Sequence, residues 1–306
     1  MQLLIEGVDI TDMVTILDAI YTDTEGEMDL LELTLTSPSR WRSWQPLPDE
    51  RLQLLDAGSS LNTGRLYISA VLPEGDRYRL WCTGAPRSAR EKKSAAYTNM
   101  TLQQAVDMCT GELGMENAIW AMDGAAETDF ILRCRETPLQ FLSRIAALEG
   151  GIVKTADGKV TVIGLEWAQN RQADRRWTVQ ADGNGASVQR LPFERYASLT
   201  VQGGAYKATA WDTAAQGGAA LTLSGMNCTS YTQARRQAQN LLLMKNRKAE
   251  ELTLHMGLCA NMGAAQRVHI DSLTDANGEW MVRSARHDIV GGTSSLCLVR
   301  VIDTIE

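Results

Sequence analysis

The chain has 306 residues, 44% of them hydrophobic and 22% charged, with a formal net charge of −7 and a sequence pI near 5.2. That is enough apolar material for substantial cores and suits two domains better than one, which excludes a disordered chain, and the acidic balance argues against a surface that grips phosphate backbones. The six cysteines show no CxxC pairing and read as reduced, buried thiols, the N-terminus lacks the positive region of a signal peptide, and no run approaches the roughly 18 apolar residues of a membrane span; synthesis in a cytoplasm is the simplest expectation.

Leu3 to Ile10 alternates as a strand, and Val14 to Tyr21 supplies a second before the acid-rich turn with Asp23, Glu25, Glu27 and Asp29, which reads as a solvated tip. Leu31 to Leu35 is a third strand. The Pro-bounded loop from Ser37 to Pro48 carries Trp41 and Trp44 beside Arg40 and Arg42. Aromatics next to Arg suit a protein interface, while Trp at a loop base also suits a lid on a core. Strands from Arg51, Leu66 and Tyr78 follow, the last ending at Cys82; the basic cluster of Arg87, Arg90, Lys92 and Lys93, interrupted by Glu91, reads as a solvated connection.

Past Gly84 the apolar period changes from two to three or four. Thr101 and Gln104 form a capping box before the stripe Leu102, Ala105, Val106, Cys109 and Leu113, which Gly114 closes. A second helix opens at Thr137 with Pro138 at its first position and Gln140 at the box position, and carries Leu139, Leu142, Ile145 and Ala146. Ala156-Asp157-Gly158-Lys159 then joins two short strands as a hairpin. Tyr196 to Gln202 is a further strand, Ala205 to Leu223 reads as a hairpin, and a third helix spans about 230–246 from Ser230, with Gln233 at the box position and a face of Ala234, Ala238, Leu241, Leu242 and Lys245 towards a sheet.

The closing stretch repeats the opening one. Glu251-Leu252-Thr253-Leu254 matches Glu32-Leu33-Thr34-Leu35; strands from Arg267 and Trp280 answer those from Arg51 and Leu66, each pair separated by a polar turn ending in Gly278 or Gly64, and a last strand, Leu296 to Val301, answers Tyr78 to Cys82. The offsets of 219, 216 and 214 residues are nearly constant. The expected fold is therefore α+β and mainly β: two similar antiparallel β-domains, 1–87 and 166–306, with a small α/β module, 88–165, between them.

Catalytic signatures are absent or nonspecific. The three histidines lack zinc spacing, and there is no GxSxG elbow, P-loop or dinucleotide fingerprint; Asp182-Gly183-Asn184-Gly185 lacks the third glycine. His255 and His269 point away from the inward positions of their strands, while His287, at a strand end, suits an interface. A pair of carboxylates for glycoside hydrolysis stays open, since such a pair can come from anywhere in a fold. No cofactor, metal or catalytic residue is expected, and the role expected is binding or structural rather than enzymatic.

The order of these elements resembles that of the baseplate hub proteins of contractile phage tails and related injection machines, including late control protein D and the N-terminal hub region of type VI secretion spikes. Gly7 to Thr11, Gly64 to Ile68, Gly84 to Arg90, Thr137 to Leu142, Glu149 to Gly151 and Gly278 to His287 carry the resemblance, which spans nearly the whole chain. It implies that both β-domains are barrel-like and belong to a structural component of a phage tail or tail-like particle, assembled in the bacterial cytoplasm: a homotrimer with pseudo-six-fold symmetry that joins the hexameric tail tube to a separate trimeric spike protein. Tape-measure and other baseplate proteins are further implied partners, with neither membrane insertion nor specific nucleic-acid binding. The alternative is a cell-wall-binding or wall-degrading tail component.

Overall fold

The computed structural model describes residues 1–36, 46–122, 124–125, 127–179, 185–191, 194–272 and 276–306. Leu3 to Ile10 forms two strands, β1 (Gln2–Ile5) and β2 (Val8–Asp9), because Glu6 and Gly7 take positive φ and turn the chain back. β3 (Thr15–Thr24), β4 (Leu30–Thr36), β5 (Arg51–Asp56), β6 (Leu61–Asn62), β7 (Leu66–Glu74) and β8 (Arg77–Thr83) complete the first unit. Their alternate residues, among them Leu31, Leu33, Leu35, Leu52, Leu54, Leu66, Ile68 and Leu80, form one buried cluster. Each such side chain taken from water stabilises the fold by about 1.5–3 kcal/mol.

β9 (Lys93–Thr101), α1 (Leu102–Leu113), β10 (Glu116–Trp120), β11 (Glu127–Glu136), α2 (Pro138–Leu148), β12 (Gly151–Ala156) and β13 (Lys159–Gly164) follow. Both helices begin with a reciprocal capping box, at Thr101/Gln104 and Thr137/Gln140, and α1 ends on left-handed Gly114. The expected stripes are buried in one core with Val153, Val160 and Val162 of the sheet beneath. Asp157 and Gly158 both have φ > 0, as a two-residue hairpin between β12 and β13 requires. Strand β10 pairs with β13 in parallel, and β9 with β11 as a two-stranded ribbon.

The rest comprises α3 (Leu165–Asn170), β14 (Arg175–Val179), β15 (Ala186–Arg190), β16 (Tyr196–Gly203), β17 (Tyr206–Trp211), β18 (Ala219–Ser224), α4 (Tyr231–Asn246), β19 (Glu250–Gly257), β20 (Arg267–Ser272), β21 (Gly278–Asp288) and β22 (Thr293–Arg300). The hairpin expected over 205–223 is instead β17, paired back onto β16, followed by β18 returning parallel to β16 on its other side. α4 packs on this sheet through Ala234, Ala238 and Leu242, whereas Lys245 is exposed and Asn246 takes the buried place. Its cap is half a box: Ser230 accepts from the Gln233 backbone, but the Gln233 side chain serves Thr229.

The repeat is present in the ladder itself. β4 pairs with β8, β8 with β7 and β7 with β5; β19, β22, β21 and β20 pair in the same order. A bulge interrupts β7 between Ile68 and Ala70 and β21 between Val282 and Ser284. Even the entry to the second strand is repeated: Asp49 (φ 71°) and Ala265 (φ 69°) are left-handed, and their N–H groups donate to Ile68 O and Val282 O at 2.7 and 2.9 Å. One detail differs from the sequence alignment. Leu33 faces Leu80, but Leu252 faces Leu298 rather than Leu296, so the matching tetrapeptides sit two residues apart along the ladder. Two residues is one side-chain period, so the same face stays inward.

The two units share one 14-stranded sheet, joined where β3 pairs with β21. Among the described residues its main path runs open from β15 to β2, so the expected barrel-like form is not a closed barrel there. Of the six cysteines, Cys134 is exposed rather than buried.

Candidate functional site

The acid-rich turn after β3 is the meeting point of three parts of the chain and not a solvated tip. Asp23 and Asp29 are buried. Asp23 pairs with Lys154 of β12 and accepts from Ala264 N at 3.0 Å; Glu25 pairs with buried Arg247 at 2.6 Å. The turn's backbone is held as well, with Glu25 N donating to Arg283 O and Gly26 N to Val153 O. Asp29 accepts from the Tyr21 hydroxyl at 2.6 Å, and the Tyr21 ring stacks on His287 with centroids 6.4 Å apart.

The seam's ionisation follows from this burial. Burial and the nearby Asp23 charge raise the Asp29 carboxyl to about 7, against the opposing Tyr21 hydrogen bond and Lys154 charge. Burial also pushes Tyr21 up and His287 down. His287 Nε2 lies 2.8 Å from Met262 O, which can only accept, so in the neutral ring Nε2 carries the proton and Nδ1 accepts from the Ser294 hydroxyl. These groups fix the seam; among the described residues no cluster of three or more His, Cys, Asp or Glu could hold a metal ion.

Above the seam lies a cleft of about 650 Å³. Its floor is the open face of the β10, β13 and β12 sheet, whose other face packs on α1 and α2. Trp120 (56% exposed) and Trp167 (39% exposed) meet edge to face at 6.0 Å on its wall, and the Arg171 guanidinium lies 5.2 Å from the Trp167 ring centre. Gly64 closes the contact with the first unit: a Cβ there would come within 2.6 Å of Asp157 Cβ, and Arg65 N donates to Asp157 Oδ1.

The sequence-based interface residues Trp41 and Trp44 lie outside the described residues. His255 is exposed, and His269 sits between Glu279 at 2.5 Å and Asp271 at 3.2 Å. Neither Trp120 nor Trp167 was singled out by sequence, because their pairing joins a strand end to a short helix that periodicity does not reveal.

Two edges of the shared sheet have no described strand beside them. β21 is long: Gly278 to Met281 pairs with β20, and Ser284 to Asp288 pairs with β3. In the first unit, β7 pairs with β5 through Tyr67 and Leu66, but no described strand covers the outer side of Ala70 to Glu74. β15, which flanks β19 as β3 flanks β4, ends the sheet's path.

No protein-family model matches the sequence, and no curated protein matches it. Solved structures do match in fold. The 43 kDa tail protein of prophage MuSo2 from Shewanella oneidensis aligns over 100% of this chain and 99% of its own, with TM-score 0.74 and 14% identity. A tail protein from Neisseria meningitidis aligns over 98% and 95%, with TM-score 0.75 and 13% identity. An Escherichia coli component of the type VI secretion system, described as structurally similar to T4 tail proteins gp27 and gp5, covers 99% of this chain and 77% of its own, with TM-score 0.63 and 13% identity. The chain thus has the fold of these tail proteins. Among its described residues no helix is long and apolar enough to cross a membrane.

Proposed function

We propose that the chain is a structural baseplate hub of a contractile tail or injection particle, a trimeric adapter joining the hexameric tail tube to the trimeric central spike. The observation that carries this reading is that one chain holds the same ladder twice, edge to edge in one sheet. Three such chains would offer six similar units to a six-fold ring while keeping three-fold symmetry for a spike. The working division is 1–87 and 166–306 as the two hub units and 88–165 as the module between them. Its partners are then copies of itself, the tube protein and the spike, with tape-measure and other baseplate proteins passing or docking. The negative net charge suits a lumen that does not hold nucleic acid. The role is non-enzymatic, and the particle is assembled in the bacterial cytoplasm.

In this scheme the Trp41/Trp44 loop is an inter-subunit or baseplate contact. In the second unit, the corresponding connection between β19 and β20 caps the seam through Met262 and Ala264. The loop between β4 and β5 would cap a junction with a neighbouring subunit in the same way. If Trp41→Ala with Trp44→Ala leaves particle assembly unchanged, that role is wrong. The hub reading is tested by light scattering of the purified protein: three chains of 33.6 kDa predict about 100 kDa, and a monomer at high concentration counts against it.

The cleft with Trp120, Trp167 and Asp23 favours one rival, a cell-wall-binding component. Saturable binding to purified cell walls, lost in Trp120→Ala, would support that rival; no retention would remove it.

A further inference from the structure

We infer that the seam inside the chain is the template for the contact between chains: the outer edge of β15 in one copy pairs antiparallel with Ala70 to Glu74 of β7 in the next. The inference rests on the hub reading for the number of copies, but its surfaces follow from the repeat alone. In the first unit the strands run β3, β4, β8, β7, β5, β1; in the second they run β15, β19, β22, β21, β20, β14. Six positions therefore correspond, although β1 is antiparallel to its neighbour and β14 parallel. The internal seam joins position one of the first unit to position four of the second. The remaining position one, β15, and the remaining position four, β7, have no described strand on those sides.

Backbone polarity agrees at both edges. Arg283 O accepts from Glu25 N and Ile289 N donates to Ala19 O, so in β21 the odd-numbered residues 283 to 289 direct their polar groups at β3. The shared bulge places Ser69, Val71 and Gly75 in the corresponding orientation on β7. On β15, Leu191 N donates to Ala249 O and Gly185 O accepts from His255 N, which turns the intervening even-numbered groups, at Ala186 and Val188, to the outside. A free strand edge of this kind is a ready template for pairing with another chain.

Register follows from the same correspondences. Cys82 and Leu298 both begin the bulge pairing, Leu31 faces Cys82 and Leu252 faces Leu298, and Tyr21 faces Leu31 as Val188 faces Leu252. Since Tyr21 pairs with His287 inside the chain, Val188 pairs with Pro73 between chains, Gln189 with Leu72 and Ser187 with Glu74. Pro73 has no N–H, so this ladder carries one hydrogen bond fewer than the internal one. Such a head-to-tail contact uses a different surface on each partner and closes into a ring when its rotation allows.

Leu72 and Gln189 are both exposed and would form a non-hydrogen-bonded pair, with Cα atoms about 4.5 Å apart, inside the range a disulfide spans. The test is mild oxidation of the full-length Leu72→Cys/Gln189→Cys protein, with each single variant and the wild type as controls for the native cysteines, read by non-reducing electrophoresis after light scattering. The expected result is a shift of most chains to linked dimers and trimers in the double variant and the appearance of linked dimers, without linked trimers, in an equimolar mixture of the two single variants, where each chain carries one engineered thiol, with single variants alone staying at one chain. A protein that has the mass of a trimer but forms no links overturns this contact and leaves the hub reading standing. A monomer at every concentration, with no links, overturns both.

Discussion

Where β3 meets β21, the ladder carries Tyr21, Asp23, Ala285 and His287, all buried, with Lys154 and Arg247 brought in from other elements. At the equivalent place on β7 stand Val71, Leu72, Pro73 and Glu74, of which the last three are exposed. The same strand pattern is thus finished in two ways. The internal seam is locked by ion pairs and a stacked histidine, which makes it a permanent part of the fold. The outer edge carries a proline, a residue that limits uncontrolled strand pairing at sheet edges. Ladder and bulge define the repeated unit, and edge chemistry separates the contact made during folding from the edge that the proposed assembly would use.

The largest predicted effect comes from breaking the locked side of this comparison. Glu25→Ala leaves the Arg247 guanidinium buried without its carboxylate and should cost about 3–5 kcal/mol in urea unfolding. Glu6→Ala, which removes the solvent-exposed Glu6–Arg51 pair of the first unit, should leave the midpoint unchanged. Equal midpoints would mean that the seam is not where stability is concentrated.

Core filling gives the next contrast. Trp280 stands where the first unit has Leu66, donates from Nε1 to Ala276 O at 2.7 Å and lies 4.1 Å from the Arg300 guanidinium. Trp280→Ala should destabilise by about 3–5 kcal/mol. Trp280→Leu, which writes the first unit's residue into the second, fills part of the cavity and should cost less. The reverse order would show that the ring's polar contacts outweigh its volume.

Ionisation at the seam sharpens the contrast with a smaller, pH-dependent effect. Asp29 is raised from 3.8 to about 7, so the folded state holds its proton more tightly than the unfolded state does. Its contribution is fully present below pH 4 and is lost as pH rises towards 7, by on the order of 1.4 kcal/mol per unit of pKa separation. Asp29→Asn keeps an acceptor for the Tyr21 hydroxyl and should be more stable than the wild type at pH 8, with little difference at pH 4. His287 works in the opposite sense: held neutral by burial, it withdraws stability as pH falls below its ordinary value near 6.5. Denaturation midpoints from pH 4 to 8 read both, and an Asp29→Asn curve parallel to the wild type would contradict this assignment.

The smallest effect lies away from the seam. Thr101→Ala removes the cap of α1 and should cost about 1 kcal/mol, as should Thr137→Ala at α2. Thermal unfolding would detect both.

What the sequence discloses depends on the range of the interaction. Both capping boxes, the stripes of α1 and α2 and the Asp157-Gly158 turn are local, and each was readable from a few neighbouring residues. The repeat was readable too, although the tetrapeptide identity misplaced the first strand by two positions, an error alternation alone cannot detect. The acid-rich turn was misread because the partners that bury it, Lys154, Arg247 and Ala264, come from far along the chain. The parallel pairings of β10, β14 and β18 were invisible for the same reason: nothing local distinguishes them from antiparallel strands.

If two equivalent units per chain build one ring, electron microscopy of the purified protein viewed down its symmetry axis will show it. Class averages with six similar lobes in a closed ring are expected, alternating slightly in weight because one lobe of each pair carries the α4 layer. Rings with three lobes, or single particles of one chain at every concentration, would contradict it.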